Sequence, residues 1–240
     1  TTEIYTLSLH DALPIFRVNF NGGNPYAVEA GELQRKADRY YFKDTIGLGP
    51  DEVFVSPFDL NIENGELELP LKPMIRFGVP VFGSSGEKKG IVILNYLGET
   101  LIAAMREMAG SARGRVMLVN GDGYWLSGPE PEDEWGFMIP ARADRRFSTR
   151  HPEAWRDISA SDRCQVHTPA GLFTAATIYP LKKEGASPSR RTRIYGDSIL
   201  SMREDEYYWK IVSHVPQDAL DAGIRGDRKS TRLNSSHVSQ

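Results

Sequence analysis

Cysteine is almost absent: Cys164 is the only one in 240 residues. An internal disulfide and any multi-cysteine metal site are thereby excluded. The shortage leaves the compartment open, because exported proteins do not all carry disulfides. Long apolar runs are missing too. The longest compact one, IVIL at 91–94, is strand-sized, far below the ~18 residues of a spanning helix. Charge of one sign is also scarce. A net charge of −3, from 29 basic and 32 acidic residues, gives no argument for nucleic acid or for an anionic membrane. What remains is 40% hydrophobic and 25% charged, with mean hydropathy −0.41, the profile of a soluble globular protein. The length allows one large domain or two small ones.

The two ends read differently from the middle. Residues 1–15, TTEIYTLSLHDALPI, and 227–237, DRKSTRLNSSH, resemble in-frame translations of a matched pair of sequencing-library adapters. On this reading residues 1–15 are an artefact and 222–240 are a truncated linker followed by artefact. The natural part runs from about Phe16 to Gly226 and is a fragment of a longer chain.

Along that part, FRVNF at 16–20 alternates and meets a turn at 21–25. Glu32–Thr45 reads as a helix carrying Tyr40, Tyr41 and Phe42, stopped by Gly47, Gly49 and Pro50. Strands are expected at 52–56 and 74–82, with an Asn64-Gly65 hairpin turn between them and Pro80 weakening the second. Residues 90–96 read as a strand buried on both faces. Leu97, Leu101, Met105 and Met108 recur at helical spacing, giving an amphipathic helix over 98–109. The pattern then restarts. A strand at 115–119 turns at 120–123 into a return strand at 124–127. A short helix over 151–158 has Pro152 in its first turn. Strands at 163–168 and 172–179 pair, 182–193 is a polar surface loop, and 207–215 alternates. Its Trp209, Ile211 and Val215 share one face; Lys210 and His214 share the other, outward one. The two runs, each about 100 residues, make an α+β class of two modules with antiparallel sheets of about five strands and flanking helices.

Residues 37–42 (ADRYYF), 53–56 (VFVS), 75–82 (IRFGVPVF) and 86–94 (GEKKGIVIL) resemble the Arg-x-Tyr-Phe helix and the following strands of double Cache, or PAS-like, extracytoplasmic sensor domains. The stretch 52–98 is similar to sensor regions of bacterial histidine kinases and diguanylate cyclases. The resemblance implies a membrane-distal module at 16–110 and a membrane-proximal one at 111–221, the second matched by element order only. The family begins with a long helix and a central first strand, both absent before RVNF. The alternating EIYTLSL at 3–9 suits it to that strand's place.

No catalytic constellation stands out. His151, His167 and His214 are 16 and 47 positions apart, without metal-like spacing. No Gly-Lys-Ser/Thr follows the 120–123 turn. PEPEDE at 129–134 reads as a solvated acidic loop, Cys164 as a packed thiol, and Tyr124, Trp125 and Trp155 as core. The fragment is expected to be no enzyme and to hold no cofactor or metal. A binding site is the stronger expectation. On a helix Arg39, Phe42 and Lys43 share a face; arginine clamps carboxylates and Tyr41 adds a hydroxyl and an apolar wall. The resemblance places these beside a ligand pocket. Arg76 and Asp59 would supply one charge of each sign for a zwitterion. Ser56, Asn95 and Tyr96 complete the candidates, although Asn95 and Tyr96 lie on opposite faces. The resemblance implies a periplasmic sensor of a histidine kinase that binds an amino acid or carboxylate. Its membrane helices would flank the fragment, and the intact receptor would be a homodimer. A cyclase or chemoreceptor sensor, a soluble binding protein and a hydrolase are the alternatives.

Overall fold

The computed structural model describes residues 2–8, 14–19, 23–110, 114–180, 191–195, 201–202 and 207–222. The chain divides into two compact units, Thr1–Ala104 with Tyr179–Tyr207 and Met105–Ile178 with Tyr208–Gln240. Residues 179–207, read above within the second module, therefore group with the first. Of the surface loop expected at 182–193, residues 182–190 lie outside the described residues and 191–193 are strand. The adapter-like residues 227–240, and Asn21 and Gly22 of the first turn, also lie outside them.

The first unit is built on β1 (Thr2–Ser8), β2 (Pro14–Asn19), β3 (Tyr26–Ala27), β4 (Glu52–Val55), β5 (Asp59–Leu60), β6 (Ile62–Glu63), β7 (Glu66–Leu67), β8 (Pro73–Phe82) and β9 (Lys88–Leu97). The second contributes β10 (Arg115–Asn120), β11 (Trp125–Ser127), β12 (Arg163–Thr168), β13 (Gly171–Ile178) and β16 (Trp209–Pro216). Between β13 and β16, β14 (Arg191–Tyr195) and β15 (Ser201–Met202) return to the first unit's sheet. That sheet runs β15-β14-β4-β8-β9-β1-β2-β3, with β5 beside β8, nine strands instead of about five. All its pairs are antiparallel except β14 with β4. Its middle, β2-β1-β9-β8-β4, and the second unit's β11-β10-β16-β13-β12 have the same order when strands are counted along the chain. The strand formed by EIYTLS thus takes the central place. Pairing with β4 ends at Gly78, so Pro80 meets only β9 in the described register.

Burial in β9 alternates. Ile91 and Ile93 are 0% and 1% exposed and Asn95 is buried, while Tyr96 is exposed. The expectation of burial on both faces is corrected: on the other face Phe77 pairs with Leu94 and Val79 with Val92, all half-buried or exposed. The covering helix is α1 (Tyr40–Gly47), whose Tyr41 and Phe42 join Leu48, Phe54, Ile91 and Ile93 in one core. It lies close on the sheet at Gly78, where an added Cβ would sit 2.4 Å from Thr45 Oγ1 and 2.7 Å from Ile93 Cδ1. The helix does not begin at Glu32. Residues 33–36 are non-helical, and Arg39 precedes the first turn with φ −72° and ψ 136°. The cause is tertiary. Gln34 Nε2 reaches Glu63 Oε1 at 2.7 Å and Lys36 Nζ reaches Glu63 Oε2 at 3.4 Å, which holds the segment extended despite its favourable helix propensity. Asn64 (φ 51°) and Gly65 (φ 86°) close the β6–β7 hairpin as a left-handed pair, as the sequence predicts. The helix α2 (Glu99–Ala109) buries Ile102 and Met105, whereas Leu101 and Met108 are 36% and 73% exposed; the buried stripe is turned from the one expected.

In the second unit α3 (Phe147–Arg150) and α4 (Pro152–Ala160) cover the sheet. Trp125, Phe147, Phe173 and Val212 are fully buried there, with Met117, Val119 and Ile158 around them. Val212 fixes the inward face of β16, so Lys210 and His214 point toward the core side, the reverse of the sequence reading. His214 stacks on Phe173 with ring centroids 4.2 Å apart and an interplanar angle of 2°. The acidic loop is not solvated at its end. Asp133 and Glu134 are 4% and 9% exposed. Arg150 reaches Asp133 at 2.8 Å, and Arg106 reaches Glu134 at 2.7 Å. Gly171 has φ +129°, and an added Cβ would lie 2.2 Å from the Val215 carbonyl oxygen; only glycine fits this corner.

The fold also brings His151 and His214 together, ring centroids 5.5 Å apart. Burial, with His214 and Arg150 nearby, pushes the His151 pKa down to about 4 from 6.5. The ring is neutral in the folded unit, so its stability contribution is full above pH ~6.5 and lost as pH falls toward 4. Half-exposure moderates the size of the loss. Thermal melts from pH 7 to 5 are expected to show a falling midpoint, and His151→Phe is expected to flatten that fall. An unchanged pH profile in the variant would refute this assignment.

Candidate ligand-binding site

The first unit holds a buried polar network on the inner face of its sheet. Arg76 is 1% exposed. Its Nη1 donates to Asp59 Oδ1 at 2.5 Å, and its Nη2 donates to Asn61 Oδ1 at 2.9 Å. The Tyr40 hydroxyl donates to Asp59 Oδ2 at 2.5 Å. Ser56 Oγ accepts from the Arg76 backbone N–H at 2.8 Å and donates to the Pro57 carbonyl at 2.7 Å. The elements explain the convergence. β8 carries Arg76, β5 carries Asp59 beside Met74, and α1 begins with Tyr40. Burial acts to lower the Arg76 pKa, but the Asp59 carboxylate, with Tyr40 and Tyr41, more than reverses this and holds the guanidinium charged. Burial, then the Asp59 charge, raises the Tyr40 pKa well above 10, so the phenol keeps the proton that it donates.

This geometry corrects part of the expected site. Arg76 and Asp59 neutralise each other instead of facing a ligand with one free charge each. Ser56 serves the backbone, and Phe42 is core. Tyr96 is 37% exposed on the opposite face of β9 and does not join the site. Asn95 does: it pairs across the sheet with Arg76, is 4% exposed, and its Oδ1 has no hydrogen-bond partner. Tyr41 lies near two cations, with Arg76 Cζ at 5.2 Å and Arg39 Cζ at 5.8 Å from its ring centroid. Arg39 is not on a helical face with Phe42 and Lys43, because the helix starts after it. It lines a cleft of about 340 Å³ with Gln34, Arg35, Lys36, Ile62, Asn64 and Gly65. Its Nε is buried without a hydrogen bond.

Three contributors escaped the sequence reading. Asn61 follows Asp59 by two but lies between β5 and β6, in neither strand, so alternation gives no signal for it. Tyr40 was visible in the aromatic cluster, but its role needs the true helix start. Lys36 meets Glu63 only through the hairpin, a contact without any local signal. Among the described residues no group of three or more His, Cys, Asp or Glu is placed to hold a metal, and no helix is long and apolar enough to cross a membrane.

The profile of the family described as "Bacterial histidine kinase, sensor domain" matches residues 3–174. No curated protein matches the chain. Among solved structures, the extracellular domain assigned to the histidine kinase vpHK1S-Z8 is similar with TM-score 0.69 and 17% identity, over 92% of this chain and 70% of that one. A domain of a sensory box/GGDEF family protein from Vibrio parahaemolyticus gives 0.70 and 18%, over 91% and 73%. The periplasmic sensory domain of the Campylobacter jejuni chemoreceptor Tlp1 gives 0.56 and 10%, over 91% and 72%. At these identities the likeness is one of fold, and the fold is that of extracellular sensor domains. The profile spans most of the sequence, and the chain belongs to the family of bacterial histidine kinase sensor domains.

Proposed function

We propose that this chain is the extracytoplasmic input domain of a bacterial transmembrane histidine kinase, and that its first unit binds a small molecule beside Arg39 and Tyr41. The observation that supports this most is Arg39. It stands at the wall of a cleft of small-molecule size, makes no ion pair among the described residues, and keeps a buried Nε unbonded. A guanidinium so held offers a charge-assisted hydrogen bond that folding has not used. Binding would favour one of two receptor states, and the difference in affinity between the states would set the signal. Membrane helices outside this sequence and a homodimer of the intact receptor complete the reading.

The test is a chimera in which this domain replaces the sensor of a characterised membrane histidine kinase. Kinase autophosphorylation is expected to change with a small ligand, and Arg39→Ala is expected to shift the half-maximal concentration by about tenfold or more, while the basal level stays. A chimera that reaches the membrane folded, yet ignores a ligand shown to bind the domain, would refute the input role.

A further inference from the structure

The charges around the cleft favour a particular ligand class. A free carboxylate is the strongest partner for a zwitterion's ammonium group, and Asp59 and Glu63 are both already paired with cations. Asp59 accepts from Arg76 and from Tyr40. Glu63 accepts from Arg17 Nη1 at 3.1 Å, Gln34 Nε2 at 2.7 Å and Lys36 Nζ at 3.4 Å. Among the described residues, those lining the cleft include Arg35, Lys36 and Arg39 and no carboxylate. Arg35, Lys36 and Arg39 line the cleft, and Glu63, the carboxylate bonded to Lys36, is shared with Arg17. Neither Arg35 nor Arg39 makes an ion pair among the described residues. Lys36 is only 6% exposed, and such burial of a cation is costly without anions close by. Burial lowers the Lys36 pKa, and Glu63 only partly opposes this. Asn64 adds a side-chain amide and Ile62 an apolar wall, and the volume of about 340 Å³ lies at the small end of ligand sites.

We propose that the cleft between residues 34–39 and the β6–β7 hairpin binds a small dianion, a molecule with two negative charges such as a dicarboxylate or a phosphate, and rejects zwitterions. The inference rests on the sensor reading only for its meaning in signalling; anion binding can be measured without it.

Calorimetric titration of the folded chain with succinate, inorganic phosphate and glycine separates the cases. Succinate or phosphate is expected to bind, with glycine about tenfold weaker or more. The preferred one of the two identifies the acid as carbon-based or phosphoryl. Affinity is expected to fall between ~50 and ~200 mM salt. Arg35→Gln and Arg39→Gln are each expected to weaken binding by about tenfold, with melting temperatures unchanged. Arg156→Gln, on the exposed surface of the second unit, is expected to change nothing. Glycine binding at least as tightly as both dianions would overturn the inference, as would dianion binding untouched by both cleft variants. If neither dianion binds but another small molecule does so through Arg39, the inference fails and the sensor reading stands. If nothing binds and the chimera is silent, both fail.

Discussion

Arg76→Met is expected to lower the unfolding free energy by about 3–5 kcal/mol, the largest effect in the first unit. The guanidinium is 1% exposed and makes bonds to Asp59, Asn61 and Tyr40. Methionine matches much of its length but supplies no donor. Asp59 would then keep one partner, the Tyr40 hydroxyl, while its carboxylate stays buried without a cation. An uncompensated buried charge costs more than the pair contributes, since desolvation cancels much of the pair's attraction. The double variant Arg76→Met with Asp59→Leu should therefore recover a large part of the loss. Urea denaturation followed by far-ultraviolet circular dichroism measures both. A single variant that loses less than about 1 kcal/mol would show that the network is wet and the pair weak. The same result bears on function: if Arg76 holds the fold, a loss of binding in its variants says nothing about ligand contact, whereas Arg39 variants do speak to it.

Phe147→Ala should be as damaging in the second unit, by about 3–5 kcal/mol. Phe147 is 0% exposed at the start of α3. It meets Trp125 edge-on at 6.2 Å and 85°, Trp155 at 5.9 Å and 69°, and Phe173 at 5.9 Å and 83°. With His151 at 5.2 Å, removing it takes one ring from the centre of five and leaves a cavity lined by four rigid rings that cannot collapse into it. Phe147→Leu should lose less, because it refills much of the volume. Tryptophan fluorescence reports directly, since Trp125 and Trp155 touch the site. Equal stability of the alanine and leucine variants would contradict this packing argument.

Much of this architecture was legible in the sequence because local rules decided it. Asn64-Gly65 set a left-handed hairpin, the 90–96 run marked a strand though not its one-sided burial, and Pro152 marked the first turn of α4. Where the reading failed, a distant contact decided. Residues 32–39 have ordinary helix composition, yet Glu63, far along the chain, draws Gln34 and Lys36 out of a helix. Alternation in β16 was visible, but which face is inward depends on where α3 and α4 land. The buried ends of the acidic loop depend on Arg106 and Arg150, which arrive from other segments. At the site, the fold sets Arg39 and Arg76 by Tyr41 and pairs Asn95 with Arg76 across the sheet. Arg76 and Asp59 were named, but sequence shows charges without showing that they find each other. Tyr96 was lost to strand alternation, which allowed only one of Asn95 and Tyr96.

The most direct test of the central claim is a thermal-shift screen of the folded chain against amino acids, small mono- and dicarboxylates and inorganic phosphate, run in parallel on Arg39→Ala. At least one ligand is expected to stabilise the wild type, by about 2.7 kcal/mol at ~100 times its Kd. Arg39→Ala is expected to melt where the unliganded wild type does and to show no shift with that ligand. A ligand that stabilises Arg39→Ala as fully as the wild type, or an Arg39→Ala variant that no longer folds, would contradict a ligand-binding role for Arg39.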